Sequence, residues 1–109
     1  MTKLKLYLSG PMTGVKELNK PAFEAAAKKL RKRGYIVVNP HDLDKLEPKR
    51  TWEDCLRRDI KKEMECQGIA TLPHWKDSRG ALLEVYIGQA LKFSVKPVNA
   101  WLKQPKRMR

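Results

Sequence analysis

Glu84 stands inside "DSRGALLEVYIGQAL" (residues 77–91), a stretch that is otherwise largely apolar, with Gly80 and Gly88 four residues to either side. On a helix these three residues share one strip. Glycine costs about 1 kcal/mol relative to alanine in a helix interior, so two on one strip signal a close approach. Two readings follow: a ligand-facing acid flanked by gaps, or an exposed carboxylate whose glycines serve helix-to-sheet packing. Spacing alone leaves both open. Asp59, in "CLRRDIKKEME" (residues 55–65), lies beside the apolar Leu56 and Ile60 rather than opposite them. Arg57 and Arg58 next to it offer surface ion pairs, and its spacing does not single it out. Ser78, Arg79 and Gly80 open the stretch around Glu84, where free N–H groups and a capping hydroxyl make an anion site. "YLSGPMTG" (residues 7–14) places Ser9, Gly10 and Met12 in a turn suited to cradling a phosphate or a sugar. It has neither the Gly-x-Gly-x-x-Gly nor the P-loop pattern, so it supports no dinucleotide or nucleoside-triphosphate site. No Gly-x-Ser-x-Gly context surrounds either serine, which argues against a serine hydrolase. His41 and His74 fall in expected loops without metal-ligand spacing, and no metal or cofactor is expected. Trp52, Trp75 and Trp101 suit base stacking and core filling equally well.

The elements that must position these residues alternate between two hydrophobic periods. "KLKLYLSG" reads as a strand entering the Gly10-Pro11 turn. Asn19 reads as the cap of a helix carrying Phe23, Ala26, Ala27 and Leu30 on one face, ended by Gly34. "YIVVNP" is a second strand, and residues 41–50 a polar loop. Thr51 to Asp54 has the form of a capping box, opening a helix with the stripe Trp52, Cys55, Leu56, Ile60 and Met64. "GIATLP" is the third strand, residues 78–91 the third helix, and "SVKPVNAWL" a last strand whose Pro97 marks a sheet edge. This order predicts an α/β sandwich with a mainly parallel sheet of four to five strands. Ligands of such sheets bind beyond the strand C-termini, which brings "SGPMTG", "NPHDLDKLEP" and "PHWKDSRG" to one rim.

A chain of 109 residues supports one compact domain, placed at residues 1–100 with a basic tail at 101–109. No apolar run approaches the roughly 20 residues of a membrane span, and no leader pattern is visible, so a cytoplasmic protein without membrane contact is expected. Cys55 and Cys66 read as small buried or half-buried hydrophobes in a reducing compartment. The formal net charge is +12, with Lys28, Lys29, Arg31, Lys32 and Arg33 crowding one helix end and Lys103, Lys106, Arg107 and Arg109 in the tail. Such a field draws anions, from nucleotides to nucleic acid, although cations at a helix C-terminus also serve the dipole.

Taken together, "LYLSGPMTG", "LRRDI" and "LPHWKDSRGALLEVYIGQA" resemble the nucleoside 2-deoxyribosyltransferase-like superfamily. The resemblance runs from Leu4 to about Val98, and is nearest to a small phage and bacterial branch of unknown function related to deoxynucleoside 5′-monophosphate N-glycosidases. It implies a flavodoxin-like fold and cleavage or transfer at an N-glycosidic bond. It matches Glu84 to the nucleophile that attacks C1′, Asp59 to the aspartate that meets the leaving base, and Tyr7 to the tyrosine orienting the nucleophile. Gly10 matches the turn against the sugar. Serine at position 78, where nucleoside transferases carry an acid, implies a 5′-monophosphate in place of a free 5′-hydroxyl. A homo-oligomer is implied as well. The chain departs from the superfamily at Gln67, where an acid usually leads into the third strand.

Overall fold

The computed structural model describes residues 3–104. Four parallel strands, β1 (Lys5–Ser9), β2 (Ile36–Val38), β3 (Gly68–Thr71) and β4 (Ser94–Pro97), lie in the order β2-β1-β3-β4. Register pairs Leu6 with Val37 on one side and with Gly68 on the other. Among the described residues five α-helices accompany them: α1 (Lys20–Lys32), α2 (Pro40–Leu46), α3 (Trp52–Glu63), α4 (Arg79–Ala90) and α5 (Val98–Lys103). The flavodoxin-like sandwich is therefore realised with four strands, all parallel.

Alternation along β1 sets the two cores. Leu6 and Leu8 point to one face, where Phe23, Ala27 and Leu30 of α1 and Trp101 of α5 bury them. Tyr7 points to the other face and packs with Ile69, Cys66 and Val85 under α3 and α4. Ser9 shares Tyr7's face by the same period, so both hydroxyls look toward α4. The chain leaves β1 for β2 and then crosses back to β3, which puts the switch point of strand order between β1 and β3.

Several local expectations change. Residues 41–50 are not all loop: Asn39 accepts from the His41 N–H at 3.0 Å and caps α2, with Pro40 at its first position. His41 is consequently buried, its ring edge-on to Phe23, and is no polar loop residue. The last strand stops at Pro97, and "VNAWLK" turns into α5, whose Trp101 donates its indole N–H to the Ile69 carbonyl at 2.9 Å. The boundary expected at residue 100 thus falls inside a helix, while residues 105–109 of the expected tail lie outside the described residues. Pro97 does sit on an edge strand. Asn19 precedes α1 with a left-handed backbone, as do Glu17 and Leu18, and its side chain makes no capping bond. Thr51 caps α3 through the Asp54 N–H, but the Asp54 carboxylate pairs with Arg57 and does not close the box.

The stripe expected on α3 is also only half correct. Met64 is exposed, Leu56 and Ile60 are half-buried, and the deepest residues of the helix are Arg58, Asp59 and Glu63. On α4, Leu82, Leu83 and Tyr86 face outward, so its apolar character does not mean burial all round. Among the described residues no helix is long and apolar enough to cross a membrane.

Candidate active site

A cavity of about 680 Å³ opens at the switch point, lined from β1 and its turn by Leu8, Gly10 and Met12, from α3 by Trp52, Arg58 and Asp59, and from α4 by Ser78, Arg79, Gly80 and Glu84. Three segments distant in sequence therefore meet where the strand order reverses. Gly10 is required there: a Cβ at that position would lie 2.7 Å from the Cβ of Leu72. Ser78 caps α4 by accepting from the Ala81 N–H at 3.2 Å, which leaves the first N–H groups of the helix at the cavity rim. Arg79 lies over the Trp52 ring at 4.5 Å from its centroid, so that tryptophan belongs to the cavity wall, whereas Trp75 and Trp101 pack against the two cores.

Glu84 is 6 % exposed, and both of its carboxylate oxygens are held. Tyr7 donates its hydroxyl to Oε2 at 2.8 Å, and Ser9 donates its hydroxyl to Oε1 at 2.7 Å. Ser9 is fully buried and spent on this bond, and it does not line the cavity, whereas Gly10 and Met12 do. Burial pushes the Glu84 carboxyl up to about 8 against the pull of those two hydrogen bonds, with Asp59 and Glu63 adding to the rise. The Tyr7 phenol is raised by its own burial and then by Glu84.

Asp59 is buried too, and its partner is Arg58 rather than Arg57. The Arg58 guanidinium approaches Asp59 Oδ1 through Nε at 3.0 Å and Nη2 at 2.9 Å. Burial pushes Asp59 up to about 6, with the adjacent guanidinium opposing. A third acid went unnoticed in the sequence. Glu63 is fully buried, and neither of its oxygens has a partner among the described residues. Burial alone pushes it up to about 8. It lies under α4 beside Gly88, where an added Cβ would come 2.3 Å from Ile69 Cδ1 and 3.2 Å from Glu63 Oε2. Of the two glycines flanking Glu84, Gly88 therefore serves helix-to-sheet packing, and Gly80 has its nearest neighbour, Trp52, at 3.8 Å. The signal for Glu63 was its spacing: residues 59 and 63 are one turn apart, so a helix that buries Asp59 carries Glu63 inward with it.

Residues 4–97 match the sequence model of a family described as Domain of unknown function (DUF4406). The chain belongs to this family. No curated protein matches the DUF4406 chain significantly. Among solved structures it is similar to the 2-deoxyribosyltransferase of the psychrotolerant bacterium Bacillus psychrosaccharolyticus, described as a biocatalyst for the synthesis of nucleosides. That likeness has a TM-score of 0.64 at 19% identity and covers 84% of this chain and 69% of the other. The DUF4406 chain thus has the fold of a nucleoside deoxyribosyltransferase.

Proposed function

We propose that the chain cleaves the N-glycosidic bond of 2′-deoxynucleosides or their 5′-monophosphates, passing the sugar to water or to a second base. The observation that carries this reading is Glu84, buried at the cavity wall with both oxygens fixed by Tyr7 and Ser9. A carboxylate so held has one productive direction, toward the cavity, and suits attack on an electron-poor carbon. In the reaction, a Glu84 oxygen bonds to C1′ as the C1′–N bond breaks and its electron pair passes to the base. Asp59 protonates the departing base. Water or an acceptor base then attacks C1′, gives up its proton to Asp59 and frees Glu84. The enzyme fold of the neighbour and the superfamily resemblance of the three motifs support the same chemistry.

Proton placement sets the conditions. Between about pH 6 and 8 the pair carries one proton, which rests mainly on Glu84. Turnover draws on the arrangement with Glu84 ionised and Asp59 protonated, which the cationic character developing at C1′ favours. The resting placement is also what favours a second reading, a nucleotide-binding module on an enzyme's fold. Ser78, Arg79 and the α4 N-terminus favour a 5′-phosphate at the rim, and a neighbouring copy of the chain is proposed to complete the site.

The test is incubation with each deoxynucleoside 5′-monophosphate and its matched nucleoside, following free base by chromatography, with Glu84→Gln as control. Base release that falls at least about 10³-fold in the variant supports the enzyme. No release from any substrate, with a nucleotide still raising Tm, replaces it by the binding module. Equal turnover of nucleoside and nucleotide removes the phosphate from the reading.

A further inference from the structure

We infer that Arg58 is a positioning residue that fixes one oxygen of Asp59, presents the other to the cavity and sets the balance of charge at the leaving-group end of the site. This rests on the glycosidic reading above for the role of Asp59, but its geometry stands apart from it. Arg58 is 5 % exposed and is spent in three directions. Nε and Nη2 hold Asp59 Oδ1, Nη2 also reaches Asp44 Oδ1 at 2.6 Å, and Nη1 donates to the Glu47 carbonyl at 2.9 Å. Asp59 Oδ2 is left without a protein hydrogen bond among the described residues, on the wall of the cavity that Asp44 and Arg58 also line. Both Asp44 and the Glu47 carbonyl come from α2 and its end, the segment whose sequence reads as a polar loop. A purpose for α2 follows: it supplies the counter-charge and the carbonyl that keep a buried guanidinium from collapsing fully onto Asp59.

The arrangement is a shared cation. One guanidinium divides its charge between Asp59 and the half-exposed Asp44, so Asp59 receives only part of the stabilisation that an exclusive pair would give. The other ionisable groups around Asp59 are Glu84 and Arg79 from α4 and Tyr7 from β1, with Cys55 on its own helix. Of the two guanidiniums lining the cavity, Arg58 is the one paired with Asp59 among the described residues, and Arg79 lies over the Trp52 ring.

The sharing predicts opposite effects from its two ends. Substituting Arg58→Met removes the cation and moves the Asp59 titration upward by about one pH unit or more. Substituting Asp44→Asn keeps an acceptor for Nη2 but leaves the cation to Asp59 alone, and moves the titration downward toward the ordinary carboxylate range. The experiment is a carbon-13 NMR titration of aspartate-labelled full-length chain, with the Asp59 signal assigned by Asp59→Asn. It reads no turnover, so a chain that fails to release base still gives an answer here. Opposite shifts support the assignment. Shifts of the same sign, or no shift in either variant, overturn it, because a merely structural Arg58 would disturb Asp59 alike from both ends. If Arg58→Met does not fold, Asp44→Asn decides alone: a downward shift supports the inference, and an unchanged or upward one overturns it.

Discussion

Replacing Glu63 by glutamine should stabilise the chain, and more strongly the higher the pH. The carboxyl is fully buried with no hydrogen-bond partner for either oxygen among the described residues, and burial raises it from 4.5 to about 8. An acid raised on folding binds more protons in the folded than in the unfolded state between those two values. Stability is then complete below 4.5 and falls as pH rises through the window to about 8. Integrating that difference gives a loss of about 1 kcal/mol at about pH 5, about 3 at about pH 7 and about 4 at about pH 8. Glutamine has the same shape and an uncharged head at every pH, so it recovers that loss. Denaturant unfolding of Glu63→Gln and the parent at those three values measures it. At neutral pH, 3 kcal/mol corresponds to a rise in Tm of roughly 13 °C. A gain that does not grow with pH, or a variant less stable than the parent at pH 8, refutes the claim that burial holds the Glu63 carboxyl well above the ordinary range.

Other expectations are closer to the cavity. Tyr7→Phe removes one of two donors to Glu84; a hydrogen bond to a charged group contributes about 1.5–3 kcal/mol, so base release should fall about 10- to 100-fold. The kinetic limb belonging to Glu84 should move to higher pH in the same variant, since the lost bond favoured the ionised form. The parent's kcat/KM against pH should be bell-shaped with limbs near about 6 and 8, and Asp59→Asn should remove one limb. Gly88→Ala should destabilise by about 1–2 kcal/mol despite alanine's helix propensity, because the methyl would meet Ile69 and Glu63. Gly80→Ala, whose methyl would meet only Trp52 at an ordinary contact distance of 3.8 Å, should stay within about 0.5 kcal/mol of the parent; denaturant midpoints decide both.

The main alternation of strands and helices was legible because β1 carries a clean period of two, α1 one of 3.6, and β3 a short run bounded by Pro73 that is buried throughout. Tyr7 and Ser9 sit on one face of β1 by that same alternation, so their convergence on one carboxylate was implicit once α4 was known to cover that face. What sequence could not settle was whether Glu84 looked in or out, since its two glycines answer to different neighbours: Gly88 to Ile69, and Gly80 loosely to Trp52. The α3 stripe misled for a physical reason. Burial of Arg58 and Asp59 is decided by partners on α2 and by the cavity, and that of Glu63 by its place under α4 beside Gly88, whereas a hydrophobic count ranks all three as surface. His41 was lost with them, because Asn39-Pro40 reads equally as a strand stop and as a helix cap followed by a first-turn proline.

Charge is arranged at two scales, and they oppose each other. The chain as a whole carries +12, yet its cavity is lined by Asp44, Asp59, Asp77 and Glu84 against Arg58 and Arg79. A field that surrounds the molecule acts on encounter: it concentrates anions near the surface and weakens with salt. Groups inside the cavity act on the bound state, where water is scarce and each charge counts for more. For glycosidic cleavage the two demands differ in sign, because a nucleotide arrives as an anion while the sugar carbon becomes cationic as the bond breaks. An outer basic surface with an acidic interior meets both. On the proposed reading, Arg58 bound on three sides fits the same pattern: divided between Asp44 and Asp59, it holds a carboxylate in place with most of its charge already answered.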